Sequence, residues 1–128
     1  MILGIGTDIV SINRIRRILE KFPTLKKKIL SNQEFEICQT LQAEQQVRYL
    51  AKRFAAKEAI AKAIGVGIGI IGLSNISILN NNLGKPYVVI NFDKNTWCAY
   101  HKNTCIEVSL SDERQYAIAF AIVTAKPM

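Results

Sequence analysis

Residues 42–65 read QAEQQVRYLAKRFAAKEAIAKAIG, the longest stretch of helical character in the chain. It is rich in alanine and in straight-chain residues that lose little freedom in a helix, and neither glycine nor proline interrupts it before Gly65. The stretch predicts a helix from about Ala43 to Ile64, closed by a glycine that can take the left-handed cap. On its N-terminal side, SINRIRRILEKF carries an apolar stripe at Ile12, Ile15, Ile18, Leu19 and Phe22, with Ser11 as N-cap and Pro23 as terminator. Ser31 and Glu34, in SNQE, have capping-box spacing and open another helix. On the C-terminal side the period changes. Four β-type runs follow, NISIL at 75–79, PYVVINF at 86–92, CIEVSL at 105–110 and YAIAFAIV at 116–123. Turns fall at Asn80–Gly84 and at Asp112-Glu113-Arg114, and a short helix is expected near 93–102. The class is therefore α+β: helices gathered in the first half, a largely antiparallel sheet in the second.

The N-terminal segment, MILGIGTDIV, reads as one more strand of that sheet. Side chains alternate along a strand, so Gly4, Gly6 and Asp8 share a face. Two bare backbone patches lead to one carboxylate. Asp8 either begins the turn into the next helix or has chemistry to do.

At 128 residues the chain is expected to form one domain, 1–128, large enough for a core without disulfide staples. Three cysteines, Cys38, Cys98 and Cys105, lack both CxxC spacing and histidine partners, which argues against a disulfide framework or a zinc site and fits a reducing cytosol. No basic segment precedes the apolar start, so no signal peptide is expected. The longest apolar run, AIGVGIGIIGL at 63–73, is too short and glycine-rich to span a bilayer. Net charge is +7, and residues 1–28 hold seven basic side chains against two acidic ones. Arg14, Arg17 and Lys21 line the outer face of the first helix at i, i+3 and i+7. Such a patch attracts nucleic acid, anionic lipid or an acidic protein. Basic residues are not interleaved with aromatics, and no RNA- or DNA-binding signature is visible, which disfavours nucleic acid.

GIGIIG at 67–72 matches the dinucleotide-binding pattern GxGxxG, but it closes a helix and leads to a strand, the reverse of what that pattern requires. It leaves a loop with few side chains beside the long helix. Within that helix Glu58 borders small and apolar groups and needs a partner. Lys62, four residues on, is one choice. A metal is the other: Mg²⁺ takes one or two carboxylates and fills its shell with water and substrate phosphates, and Asp8 and Glu58 could supply the pair. Arg53, Lys57 and Lys62 would then face the phosphates. His101, the single histidine, reads as solvent-exposed rather than catalytic.

Gly6-Thr7-Asp8, followed some fifty residues later by Phe54-Ala55-Ala56-Lys57-Glu58-Ala59-Ile60-Ala61-Lys62, resembles the signature of the 4'-phosphopantetheinyl transferases. The supporting segments, Gly84-Lys85-Pro86 and VSLSDE before YAIA, occur in order. The resemblance implies transfer of 4'-phosphopantetheine from coenzyme A to a serine of an apo-acyl carrier protein, an acidic partner for the Arg14, Arg17 and Lys21 face. It implies a Mg²⁺ cofactor held by Asp8 and Glu58, with room for metal and phosphates left by the glycine face. Glu58 and Lys62 are the expected catalytic residues; Arg53, Lys57, Lys62, Gly65, Gly67, Pro86 and Ser109 are expected to hold the coenzyme. It further implies a sheet packed on the long helix, a cytoplasmic homotrimer with sites between subunits, and no nucleic-acid or membrane partner. One departure stands out. Many relatives read Ser-x-Ser-His where this chain reads Ser109-Leu110-Ser111-Asp112, so catalysis is expected to need no histidine, and Asp112 to cap its turn.

Overall fold

A computed structural model describes residues 1–91 and 103–127. The expected helix near 93–102, with His101 and Cys98, lies outside the described residues. Chain order is β1 (Ile2–Ser11), α1 (Ile12–Lys21), α2 (Leu25–Ile29), α3 (Asn32–Gln39), α4 (Ala43–Ile64), α5 (Ile68–Ile71), a 3₁₀ turn (Leu73–Asn75), β2 (Ile76–Asn80), β3 (Pro86–Ile90), β4 (Thr104–Asp112) and β5 (Tyr116–Ala125). The Ser11 hydroxyl accepts from the Arg14 amide, and Ser31 and Glu34 close the expected capping box. Gly65 ends α4 at φ 90°, a conformation that a side chain rarely permits. Helix α2 was not legible in LKKKI, which has too few turns to display a period.

The N-terminal strand joins an antiparallel sheet of order β1-β5-β4, whose inner face packs on α4. Gly4, Gly6, Asp8 and Val10 pair with Val123, Ala121, Ala119 and Ala117, so one face is lined by small residues over much of its length. The reason is the approach of α4. A Cβ on Gly4 would lie 1.9 Å from the Ala63 carbonyl oxygen, and one on Gly6 2.1 Å from that of Ala59. The sequence reading expected the glycine face to leave room for metal and phosphates; helix backbone fills it instead. On α4, Ala51, Ala55 and Ala59 are fully buried in the same core.

The opposite sheet face is bare and apolar. Ile5 and Ile9 are 60% and 59% exposed, with Leu3, Tyr116 and Ile118 beside them. Alternation within a strand puts these residues on the side away from α4.

One sheet was expected and two are found among the described residues: β2 and β3 form a separate antiparallel pair. Side chains occupy the outer edge of β2 at Ile78. Its amide donates to Glu34 Oε2 at 2.8 Å, and its carbonyl accepts from Arg53 Nη2 at 3.3 Å. A third strand cannot bond there. No helix among the described residues is long and apolar enough to cross a membrane.

Candidate active site

β1 and α4 bring Asp8, Glu58 and Lys62 together. Lys62 Nζ donates to the Thr7 carbonyl at 3.0 Å and to Asp8 Oδ1 at 3.2 Å. The close packing at Gly4 and Gly6 fixes this register, because it sets where strand and helix meet. Lys62 thus pairs across to Asp8 rather than along its helix to Glu58. Glu58 makes no hydrogen bond or ion pair among the described residues, and its carboxyl is pushed up, first by burial and then by the negative charge of Asp8, with Lys62 opposing. Two carboxylates that repel one another, one of them unpartnered, form a donor set suited to a hard divalent cation. No group of three or more ligating side chains occurs among the described residues, so these build no closed cage of the kind zinc or calcium takes. The residues present fit Mg²⁺ shared with a phosphate-bearing substrate.

A second concentration of charge lies elsewhere on α4. Arg53 and Glu58 are five residues apart, about 140° around the helix. Arg53 turns toward a cavity of about 560 Å³ lined by Tyr49, Lys52, Asn80, Lys85, Pro86 and Ser109, among others. Its guanidinium lies 4.1 Å from the Tyr49 ring centroid and donates to Asn80 Oδ1 at 2.7 Å. Arg53 Nε and the Tyr49 hydroxyl are buried without hydrogen-bond partners among the described residues. Burial holds the Tyr49 phenol up at about 12. Among the described residues three cations and no carboxylate line this cavity, which suits it to an anion. Arg53, Pro86 and Ser109 are thus brought together, apart from Asp8, Glu58 and Lys62.

Lys57 belongs to neither place, and its expected phosphate contact is corrected. Its ammonium is fully buried and spends its three protons on the Ile29 carbonyl (2.6 Å), Glu34 Oε1 (2.6 Å) and the Leu73 carbonyl (3.0 Å). Burial pulls its basicity down, and Glu34 opposes that. Asp112 is also placed differently. Glu113 Oε1 accepts from the amides of Gln115 and Tyr116 and so caps the turn, while Asp112 pairs with Arg48 at 3.3 Å and Lys52 at 3.5 Å. Gly65 and Gly67 have open space where a Cβ would sit. Arg14, Arg17 and Lys21 share an exposed shallow groove with Ile18 and Phe22. Sequence reasoning missed Tyr49, Lys52, Asn80 and Lys85. The i, i+4 spacing of Tyr49 and Arg53 was the available signal.

A paired carboxylate centre with a lysine, and a separate cationic cavity, are the equipment of a phosphoryl-transfer enzyme with a large polyanionic substrate. Comparisons with known proteins agree. Residues 4–121 match the model of the 4'-phosphopantetheinyl transferase superfamily. A holo-[acyl-carrier-protein] synthase of Orientia tsutsugamushi (strain Boryong) is 46% identical over 129 residues, covering 98% of each chain. The crystal structure of the Neisseria meningitidis holo-[acyl-carrier-protein] synthase superposes with a TM-score of 0.88 at 40% identity, over 97% of this chain and 99% of that one. That of the Bacillus anthracis synthase in complex with CoA (3',5'-ADP) superposes at 0.84 and 31% identity, over 98% and 99%. The chain belongs to the holo-[acyl-carrier-protein] synthases of the 4'-phosphopantetheinyl transferase superfamily.

Proposed function

We propose that this protein transfers 4'-phosphopantetheine from coenzyme A to a serine of apo-acyl carrier protein, the step that equips the carrier for fatty acid biosynthesis. The serine oxygen forms a bond to the phosphorus nearest pantetheine, the bridging P–O bond breaks, and adenosine 3',5'-bisphosphate leaves. The observation that carries the reading is the Asp8–Lys62 contact beside an unpartnered Glu58. Asp8 and Glu58 would hold Mg²⁺, which when bound neutralises pyrophosphate charge. Lys62 orients Asp8 and adds a positive charge where negative charge develops. Glu58, at the same centre, takes the serine proton. Arg53, Lys52 and Lys85 receive coenzyme phosphate in the cationic cavity, with Pro86 and Ser109 at its wall and Gly65 and Gly67 leaving space for the coenzyme chain.

The two clusters share no residue, so one copy presents two half-sites. We infer a cytoplasmic homotrimer in which the Asp8 cluster of one copy and the Arg53 cavity of the next enclose one coenzyme. The bare apolar sheet face supports this, since exposed patches of that kind mark interfaces. The Arg14, Arg17 and Lys21 face steers in the acidic carrier. The test is intact-mass spectrometry of apo-acyl carrier protein after incubation with enzyme, coenzyme A and Mg²⁺. The reading expects a phosphopantetheine mass gain that EDTA abolishes; no gain with folded enzyme overturns it.

A further inference from the structure

The fully buried Lys57–Glu34 pair is not spent on the coenzyme, and burying two charges is costly. Its bonds show what it does instead. Lys57 ties α4 to the end of α2 at Ile29 and to the 3₁₀ turn at Leu73. Glu34 uses Oε1 on Lys57 and on the Ser31 amide, and reserves Oε2 for the Ile78 amide. The carbonyl of that same residue accepts from Arg53. Glu34 and Arg53 therefore grip the outer edge of β2 at one residue, and the next bond of Arg53 goes to Asn80, also on β2. Both hydrogen bonds of the guanidinium at the cavity wall are made to β2, and β2 at this edge is fixed by Glu34.

We propose that Lys57 and Glu34 are positioning residues for coenzyme binding: the pair locks Ile78, and Ile78 holds the Arg53 guanidinium in the anion cavity. The inference rests on the proposed coenzyme reading of that cavity. It explains why a lysine next to Glu58 in sequence points away from the site. Lys57 orients the carboxylate, the carboxylate orients the strand, and the strand orients the arginine.

The test is a double-mutant cycle on the full-length enzyme with steady-state kinetics. Glu34→Leu with Lys57→Met removes both charges together and leaves no unpaired ion in the core. The expected result is a rise in KM for coenzyme A of about tenfold, the scale of one lost hydrogen bond. The kcat and the KM for carrier protein stay near parental values. In an Arg53→Ala background the same double change produces no further rise. Glu34→Gln with Lys57→Met returns an acceptor oxygen to Ile78 and recovers most of the affinity. If the apolar pair does not fold, Glu34→Asp, which keeps both charges but shortens the reach, carries the same expectation. An unchanged KM, or a rise repeated in full on top of Arg53→Ala, overturns the relay. An Arg53→Ala variant with parental KM contradicts the coenzyme reading itself. In that event NMR of the Arg53 Nε–H still decides the relay: it predicts loss of side-chain order when Glu34 is replaced, and unchanged order overturns it.

Discussion

Replacing Gly6 by alanine adds one methyl group, yet the structure gives it nowhere to go. The new carbon would sit 2.1 Å from the Ala59 carbonyl oxygen and 2.8 Å from the Ala63 amide nitrogen, where ordinary contact begins near 3.4 Å. Both atoms are helix backbone, so no rotamer change relieves the clash. Either β1 or α4 must move by about 1 Å, across one of the two most extensive interfaces among the described residues. Overpacking of a core costs about 1–3 kcal/mol, and a backbone obstruction belongs at the upper end, about 3 kcal/mol. For a chain of this size that lowers Tm by roughly 10 °C. The same shift separates Asp8 from Glu58 and Lys62, so transfer activity should fall with stability. Gly69→Ala is the control: its Cβ meets nothing within 4 Å, and a helical alanine there should be neutral or stabilising by up to about 1 kcal/mol. Thermal denaturation of the two variants measures both effects. A Gly6→Ala protein that melts within about 2 °C of the parent would refute the close-packing account, since 1 kcal/mol already shifts Tm by more than that.

Asp8→Ala and Glu58→Ala should each reduce carrier-protein modification by two or more orders of magnitude with circular dichroism unchanged; near-parental rates in either folded variant would remove that residue from the site. Reversing Arg14 and Arg17 to glutamate should raise the KM for acyl carrier protein far more than that for coenzyme A, with added salt mimicking the change; equal effects on both would place the docking face elsewhere. Tyr49 gives a pH signature, because its phenol is held near 12 in the folded state against an ordinary value of 10.0. The protonated form is favoured by folding, so this contribution to stability is complete below pH 10 and is lost as pH rises toward 12. Ultraviolet titration of phenolate should show one late component that Tyr49→Phe removes; a parental curve in that variant would contradict the assignment.

Helix α4, the two antiparallel hairpins of the second half and the caps at Ser11, Ser31 and Gly65 were all legible, because each depends on local periodicity or on one residue's backbone preference. So was the grouping of Asp8 with Glu58 and Lys62, first from the carboxylates a metal would need and then from the family resemblance. What failed was whatever required knowing which faces meet. Gly4 and Gly6 read as open space because a glycine in sequence looks the same whether its vacancy is filled by ligand or by a helix. Lys57 read as a phosphate contact because its partner, Glu34, lies 23 residues away and had been given a sufficient local duty as a capping residue. The outer edge of β2 is held by that same long-range network at Ile78, which no strand propensity encodes.

The central claim is that the Asp8 cluster and the Arg53 cavity are halves of one site completed between copies of the chain. Subunit mixing tests it most directly. Asp8→Ala and Arg53→Ala enzymes, each severely impaired alone, are unfolded together in equal amounts, refolded and assayed for carrier-protein modification. In a head-to-tail ring, random assembly gives about a quarter of sites both intact halves, so activity should return to about a quarter of the parental value. A mixture no more active than its two components would contradict the claim, because it would place both halves within a single chain.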